Sequence, residues 1–157
     1  MQLSSLILKG YIITNLSIKA QVPESMEQAA KAIASSTANL TTKVGLAKND
    51  QNQRQWKVSL QVISEATDSS EFCPYRIDIE LLGIFEVASN VEESKIQELV
   101  SVNAPSLLFG AARELVLLIT GRGPLPPVTL PCAVFTDTLK NSKETKKKSN
   151  VAHLVRG

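Results

Sequence analysis

The sequence predicts an α+β fold, a four-stranded sheet followed by helices. Four stretches alternate apolar and polar residues with a period of two, the mark of half-buried strands. After Val87 the period changes to that of a helix. Polar turn clusters between the second, third and fourth stretches are short enough to make hairpins. The 157 residues, 43% apolar and 20% charged, amount to one domain with the material for a core.

In the first stretch Leu6, Leu8, Gly10, Ile12, Thr14, Leu16, Ile18 and Ala20 share one face, and Lys9, Tyr11, Asn15, Ser17 and Lys19 the other. Pro23 to Ser36 follows, with Met26, Ala29, Ala30, Ile33 and Ala34 at helical spacing. Its proline and glutamates suit a helix start, so a short crossover helix is expected. The second stretch sets Leu40, Thr42, Val44 and Leu46 against Thr41, Lys43 and Gly45. The third sets Trp56, Val58, Leu60 and Val62 against Lys57, Ser59 and Gln61. Asn49 to Arg54 is the turn between them. Asp68 to Pro74 leads to the fourth, where Tyr75, Ile77, Ile79, Leu81, Gly83, Phe85 and Val87 face away from Arg76, Asp78 and Glu80.

Glu92, Glu93 and Ser94 open a helix with Ile96, Leu99 and Val100 on one side, its acidic first turn suiting the helix dipole. Asn103-Ala104-Pro105 is expected to interrupt it. A second helix, Ser106 to Thr120, ends at Gly121-Arg122-Gly123-Pro124. Pro124 to Pro131 holds four prolines and must be extended; a last short helix is expected from Val134 to Leu139. The helix from Ser106 to Thr120 carries only Arg113 and Glu114 as charges. Its apolar arc exceeds the roughly 100° stripe that one sheet covers, which predicts self-association.

The net charge of +2 is unevenly placed. Lys140 to Gly157 carries six basic residues against Glu144, a balance of +5, so residues 1–139 carry −3. The chain therefore divides into a domain, 1–139, and a basic tail, 140–157, expected to be solvated and mobile. Leu6-Ile7-Leu8 is broken at once by Lys9, and no run of about 18 apolar residues occurs. The expectation is a cytoplasmic chain with no membrane insertion. Cys73, Cys132 and the single His153 form no ligand cluster, so no metal is expected, and both thiols are read as buried or half-buried.

Catalytic signatures are missing. There is no Gly-rich phosphate loop, GxSxG elbow or HExxH, and Gly121-Arg122-Gly123 follows a helix where a phosphate loop must precede one. Asp78 and Glu80 share an outward strand face that Arg76 and Lys57 can neutralise. An enzyme is not expected, nor any cofactor.

Several runs, in order, resemble the SecB family of protein-export chaperones. They are Gly83-Ile84-Phe85-Glu86-Val87, the segment from Asn103-Ala104-Pro105 to Arg113-Glu114, and the exit Arg122-Gly123-Pro124-Leu125-Pro126. Thr129 to Phe135 and Leu16-Ser17-Ile18-Lys19-Ala20 add to the likeness, which spans about residues 8–140. The resemblance implies a four-stranded antiparallel sheet with helices packed on one face. It also implies a dimer of dimers and an ATP-independent holdase that binds nonnative polypeptides in apolar grooves and passes them to the SecA motor.

On that implication, Met26, Ile33, Leu40, Val44, Leu125 and Phe135 are the candidates for lining a client groove. Leu107, Leu108, Leu115 and Ile119 are those for the oligomer interface. The family presents acidic residues to SecA from its outer sheet face. By position, Asn15 and Lys19 replace two of those acids, Arg76 replaces an apolar contact, and Asp78 keeps its carboxylate. That departure weakens a charge-steered encounter and leaves two roles open, general export or a dedicated client as in the branch that protects an antitoxin. A different class, nucleic-acid binding by the lysine tail, would be distinguished by its loss in salt.

Overall fold

The computed structural model describes residues 4–28, 30, 40–64 and 73–136. Four strands, β1 (Leu6–Ala20), β2 (Leu40–Lys48), β3 (Gln55–Ser64) and β4 (Tyr75–Val87), form one antiparallel sheet in the order β1-β4-β3-β2. A single long helix, α1 (Glu93–Thr120), packs on one face.

β3 and β4 follow the predicted alternation without a break. Val58, Leu60, Val62, Ile77, Ile79, Leu81 and Phe85 are sealed beneath the helix, while Arg76, Asp78 and Glu80 stay on the other face. Between β2 and β3, the Asn49 side-chain oxygen accepts the Gln51 amide at 2.9 Å, and Gln55 N–H donates to the Asn52 carbonyl. The asparagine thus organises the turn expected there.

β1 does not keep one phase. Its pairing with β4 shifts at two places, leaving Lys9 and Thr14 as extra residues. Each extra residue turns the following side chains over. Leu6 and Leu8 lie opposite Val87 and Phe85 on the helix side. Between the bulges Tyr11 and Ile13 take that side, opposite Gly83 and Leu81, and Gly10 and Ile12 face out. After Thr14, Leu16 and Ile18 return to the helix side. The expected grouping of Gly10, Ile12 and Thr14 with the core residues is therefore corrected. Both bulge residues are tied to β4: Lys9 pairs with Glu86 at 3.1 Å, and the Thr14 hydroxyl donates to the Glu80 carbonyl at 3.2 Å.

The two expected helices are one, running through Pro105. A proline inside a helix removes one amide donor and crowds the preceding turn. Here Pro105 is buried, and the Asn103 and Ser106 side chains donate to the Leu99 and Val102 carbonyls at 2.9 and 2.8 Å. Burial of Val100, Ala104, Leu108, Ala112 and Val116 holds the two halves on one line. By length and composition alone α1 could cross a bilayer. That buried row instead makes it the core helix of this sheet.

In the crossover, residues 26–28 and 30 are helical, Pro23 to Ser25 precede the first turn, and residues 29 and 31–36 of the expected helix lie outside the described residues. Its start is capped: the Gln28 amide donates to the Ser25 hydroxyl, and the Gln28 side chain accepts from Glu24 N–H. This is a close variant of the Ser-x-x-Gln capping box. At the other end, Val134 and Phe135 are irregular where the residue pattern predicts a helix. Residues 137–157, including the whole basic tail, lie outside the described residues.

At Gly83 the sheet leaves room for buried side chains of both layers. A Cβ there would stand 2.7 Å from the Phe85 ring and 3.0 Å from Leu108 Cδ2, both fully buried. Gly83→Ala is expected to destabilise the fold by about 1–3 kcal/mol through overpacking. Gly10→Ala, with nothing within 4 Å, serves as the control. Chemical denaturation checks the pair, and equal midpoints for both variants would contradict this packing.

Candidate functional site

The candidate features lie where α1 fails to cover the sheet. The helix rests on β4, β3 and part of β1, and reaches β2 least. On the helix side of β2, Leu40, Val44 and Leu46 are only half-buried at its margin. Along β1, Tyr11, Ile13 and Leu16 are on the same side and remain exposed. Both outer edges of the sheet lack a neighbouring strand among the described residues.

The free face of α1 repeats this openness. Leu107, Ala111, Glu114 and Leu118 are spaced by four, three and four, which sets them on one stripe. It faces away from the row Leu108, Ala112 and Val116. Leu107 is 47% exposed and Leu118 53%. Of the interface candidates, Leu107 and Ile119 are exposed and Leu115 is half-buried, but Leu108 is sealed in the core. Leu108 is thus corrected. One residue along a helix is about 100° around it, which carries Leu108 from the open face of Leu107 to the sheet.

Of the client-groove candidates, Leu40 and Val44 come together on β2, and Met26 stands 88% exposed in the crossover. Ile33 lies outside the described residues. Phe135 is 5% exposed and packs edge-on against Phe109, with ring centroids 5.8 Å apart. It belongs to the core, because the exit loop folds back over the helix, rather than to an open groove.

Leu125 is half-buried and fixed by its backbone. The Tyr75 hydroxyl donates to the Leu125 carbonyl at 2.9 Å and accepts its amide at 3.1 Å. Nearby, the Thr120 hydroxyl donates to the Val116 carbonyl and accepts the Val128 amide at 3.0 Å. Gly123 is needed here, since a Cβ would collide with the Tyr75 hydroxyl. These contacts press Val128 and Leu130 into the core.

Asn15, Lys19, Arg76 and Asp78 do share one patch, on the outer face of β1 and β4. Lys19 lies directly opposite Arg76, two cations side by side. Asp78 accepts from Gln61 Nε2 at 2.9 Å, and its backbone carbonyl accepts from Asn15 Nδ2 at 3.4 Å. Lys57 lies opposite Ile84 instead, so it is not the neighbour of Asp78 that the strand pattern suggests. The bulge at Lys9 also brings Ile12, 60% exposed, to this outer face.

A cleft of about 390 Å³, which the residue pattern does not predict, opens where the end of β2 meets the first turn of α1. Leu46, Trp56 and Ile96 supply its apolar wall, and Lys48, Arg54 and Glu93 its charged one. The strand register carried part of the signal, since it sets Lys48 opposite Trp56; the helix contribution had none. Cys132 is also exposed, not buried, with its sulfur 3.7 Å from an Arg113 guanidinium nitrogen; Cys73 is half-buried as expected. Among the described residues no group of three or more His, Cys, Asp or Glu side chains could hold a metal.

The described residues thus form a sheet roofed by one helix, with its apolar margins left open. The family described as Preprotein translocase subunit SecB matches residues 4–146, and the chain belongs to it. Among relatives, the protein-export protein SecB of Ehrlichia canis is 33% identical over 62% of this chain and 56% of its own. That of Nitrobacter hamburgensis is 24% identical over 68% and 65%. The chain thus spans less than two thirds of these relatives' lengths. The SecB-like chaperone of Mycobacterium tuberculosis, solved with an antitoxin peptide, is 16% identical and shares the fold with a TM-score of 0.59. That likeness covers 82% of this chain and 91% of the other.

Proposed function

We propose that this chain is an ATP-independent holdase, working in the cytoplasm, that keeps nonnative polypeptides from aggregating. The single observation that carries the reading is the open margin of the sheet, where Leu40, Val44 and Leu46 project half-covered from the edge strand β2. An unfolded client offers apolar side chains and unpaired backbone groups. An apolar shelf beside a free strand edge meets both, through many weak contacts that tolerate different sequences. Nothing in such capture requires a nucleotide or a reacting group. Membership of the SecB family supports the same reading.

The open stripe on α1 and the exposed β1 residues are the surfaces through which copies associate. Contiguous apolar surface of this extent is rarely left to water in a soluble monomer. A dimer of dimers buries both kinds of surface, one against another sheet edge and one against another helix.

The client is a dedicated one rather than the general export stream. The observation that favours this is the outer face, where Lys19 and Arg76 stand in register and Asn15 and Asp78 complete the patch. A cation and an amide where the family offers carboxylates, with Arg76 where it offers an apolar contact, weaken the encounter with a partner that expects acid. The antitoxin peptide on the structural neighbour is a precedent for such a role in the same fold.

Three outcomes test these readings. Leu40→Ser combined with Val44→Ser should abolish most suppression of client aggregation in nucleotide-free buffer while circular dichroism stays native. Full suppression would exclude the β2 shelf. Light scattering should give a multiple of the 17.0 kDa chain mass, and Leu118→Asp should reduce it, because a buried unpaired charge is costly. A wild-type monomer at micromolar concentration would overturn the assembly. Lys19→Glu with Asn15→Asp should tighten binding to SecA by up to roughly tenfold at low salt. No change at any ionic strength would remove this patch from that encounter.

A further inference from the structure

The cleft between β2 and α1 continues the β2 shelf, and its chemistry differs from the rest of the shelf. Leu46 belongs to both, lying opposite Val58, and Lys48 lies opposite Trp56 on the same face. At about 390 Å³ the cleft is near the lower end of ligand pockets, which run from about 300 to 1,000 Å³. It suits one or two side chains.

Its charged wall has two cations and one carboxylate. Arg54 is held in place, donating to the Ala88 carbonyl at 2.7 Å and the Val91 carbonyl at 3.1 Å. Lys48 is exposed and donates to the Gln53 side-chain oxygen at 3.1 Å. Glu93 sits in the first turn of α1, where the helix N-terminus already favours negative charge. The wall is therefore cationic in a domain whose 139 residues sum to −3. Trp56, 7% exposed, lines the apolar side of the cleft.

We infer that this cleft selects, within an extended client, a large apolar residue followed by an acidic one. The apolar side chain lies on Leu46, Trp56 and Ile96, and the carboxylate meets Lys48 and Arg54. This rests on the client-binding reading and adds to it a sequence preference at one end of the shelf. It gives that end a polarity: the acidic side of the client points toward the hairpin turn at Asn49 and the apolar run back along β2.

Trp56 is the only tryptophan in the chain, so the cleft carries its own reporter. Two labelled twelve-residue peptides, alike except that one has Asp-Glu and the other Asn-Gln after a Leu-Phe pair, are titrated into the full chain. Peptide anisotropy and Trp56 emission are both followed. The acidic peptide should bind about three- to tenfold tighter at low salt, the range expected of one or two exposed charge contacts, and should change the emission. Lys48→Glu, at an exposed position that leaves Arg54 in place, should erase or reverse the preference. Equal binding of the two peptides, or binding of the acidic one without any change in emission, would overturn the cleft assignment alone. Failure of either peptide to bind, together with no suppression of aggregation, would overturn the client reading along with it.

Discussion

Among the described residues a single helix roofs four strands, and the mismatch in their widths governs the rest of the molecule. Strand axes about 4.8 Å apart make a sheet about 14 Å across from first axis to last, before side chains are counted. A helix with its side chains is about 10–12 Å wide. Length is well matched, since the 28 residues of α1 run about 42 Å and the 13 of β4 about 44 Å. Width is not. The central strands receive full cover and become the core, and the margins cannot.

The shortfall is partly made up at one end and left open at the other. Beyond Thr120 the exit loop is folded back by Tyr75 and Thr120, so that Val128, Leu130 and Phe135 extend the core. No such cover reaches the margin at Leu46 and Trp56 among the described residues, and there the cleft opens. The same deficit explains why the exposed residues of β1 and the outer stripe of α1 are apolar. On the reading proposed above, these are the surfaces that a second copy or a client covers.

β3 and β4 were legible because both are central, so alternation in the sequence translates directly into burial of Trp56 to Val62 and Tyr75 to Val87. β1 was legible as a strand but not in its facing. Gly10, beside Lys9, is the one residue there that can mark a bulge inside a strand, but nothing at Thr14 does, and both places sit in an otherwise unbroken β pattern. Pro105 misled in the opposite direction: local rules end a helix there, while a buried row on both sides of it carries the helix through. Of the candidate site, Leu40 and Val44 could be read from their apolar side of an edge strand. Phe135 could not, because its burial depends on Phe109, far back in the sequence and brought near only by the turn at Gly121.

The two irregularities in β1 act on the strand as an insertion and its suppressor act on a reading frame. Lys9 throws the facing of the strand out of phase, and Thr14 restores it. Between them, Gly10 to Ile13 is a short passage in the alternate frame. Losing either residue alone would leave everything on one side of it inverted, whereas losing both would close the passage and keep the two ends in step. β1 therefore has to lengthen or shorten in pairs. Its outer-face patch at Asn15 and Lys19 shares a frame with Leu6 and Leu8 only because the irregularities number two and not one.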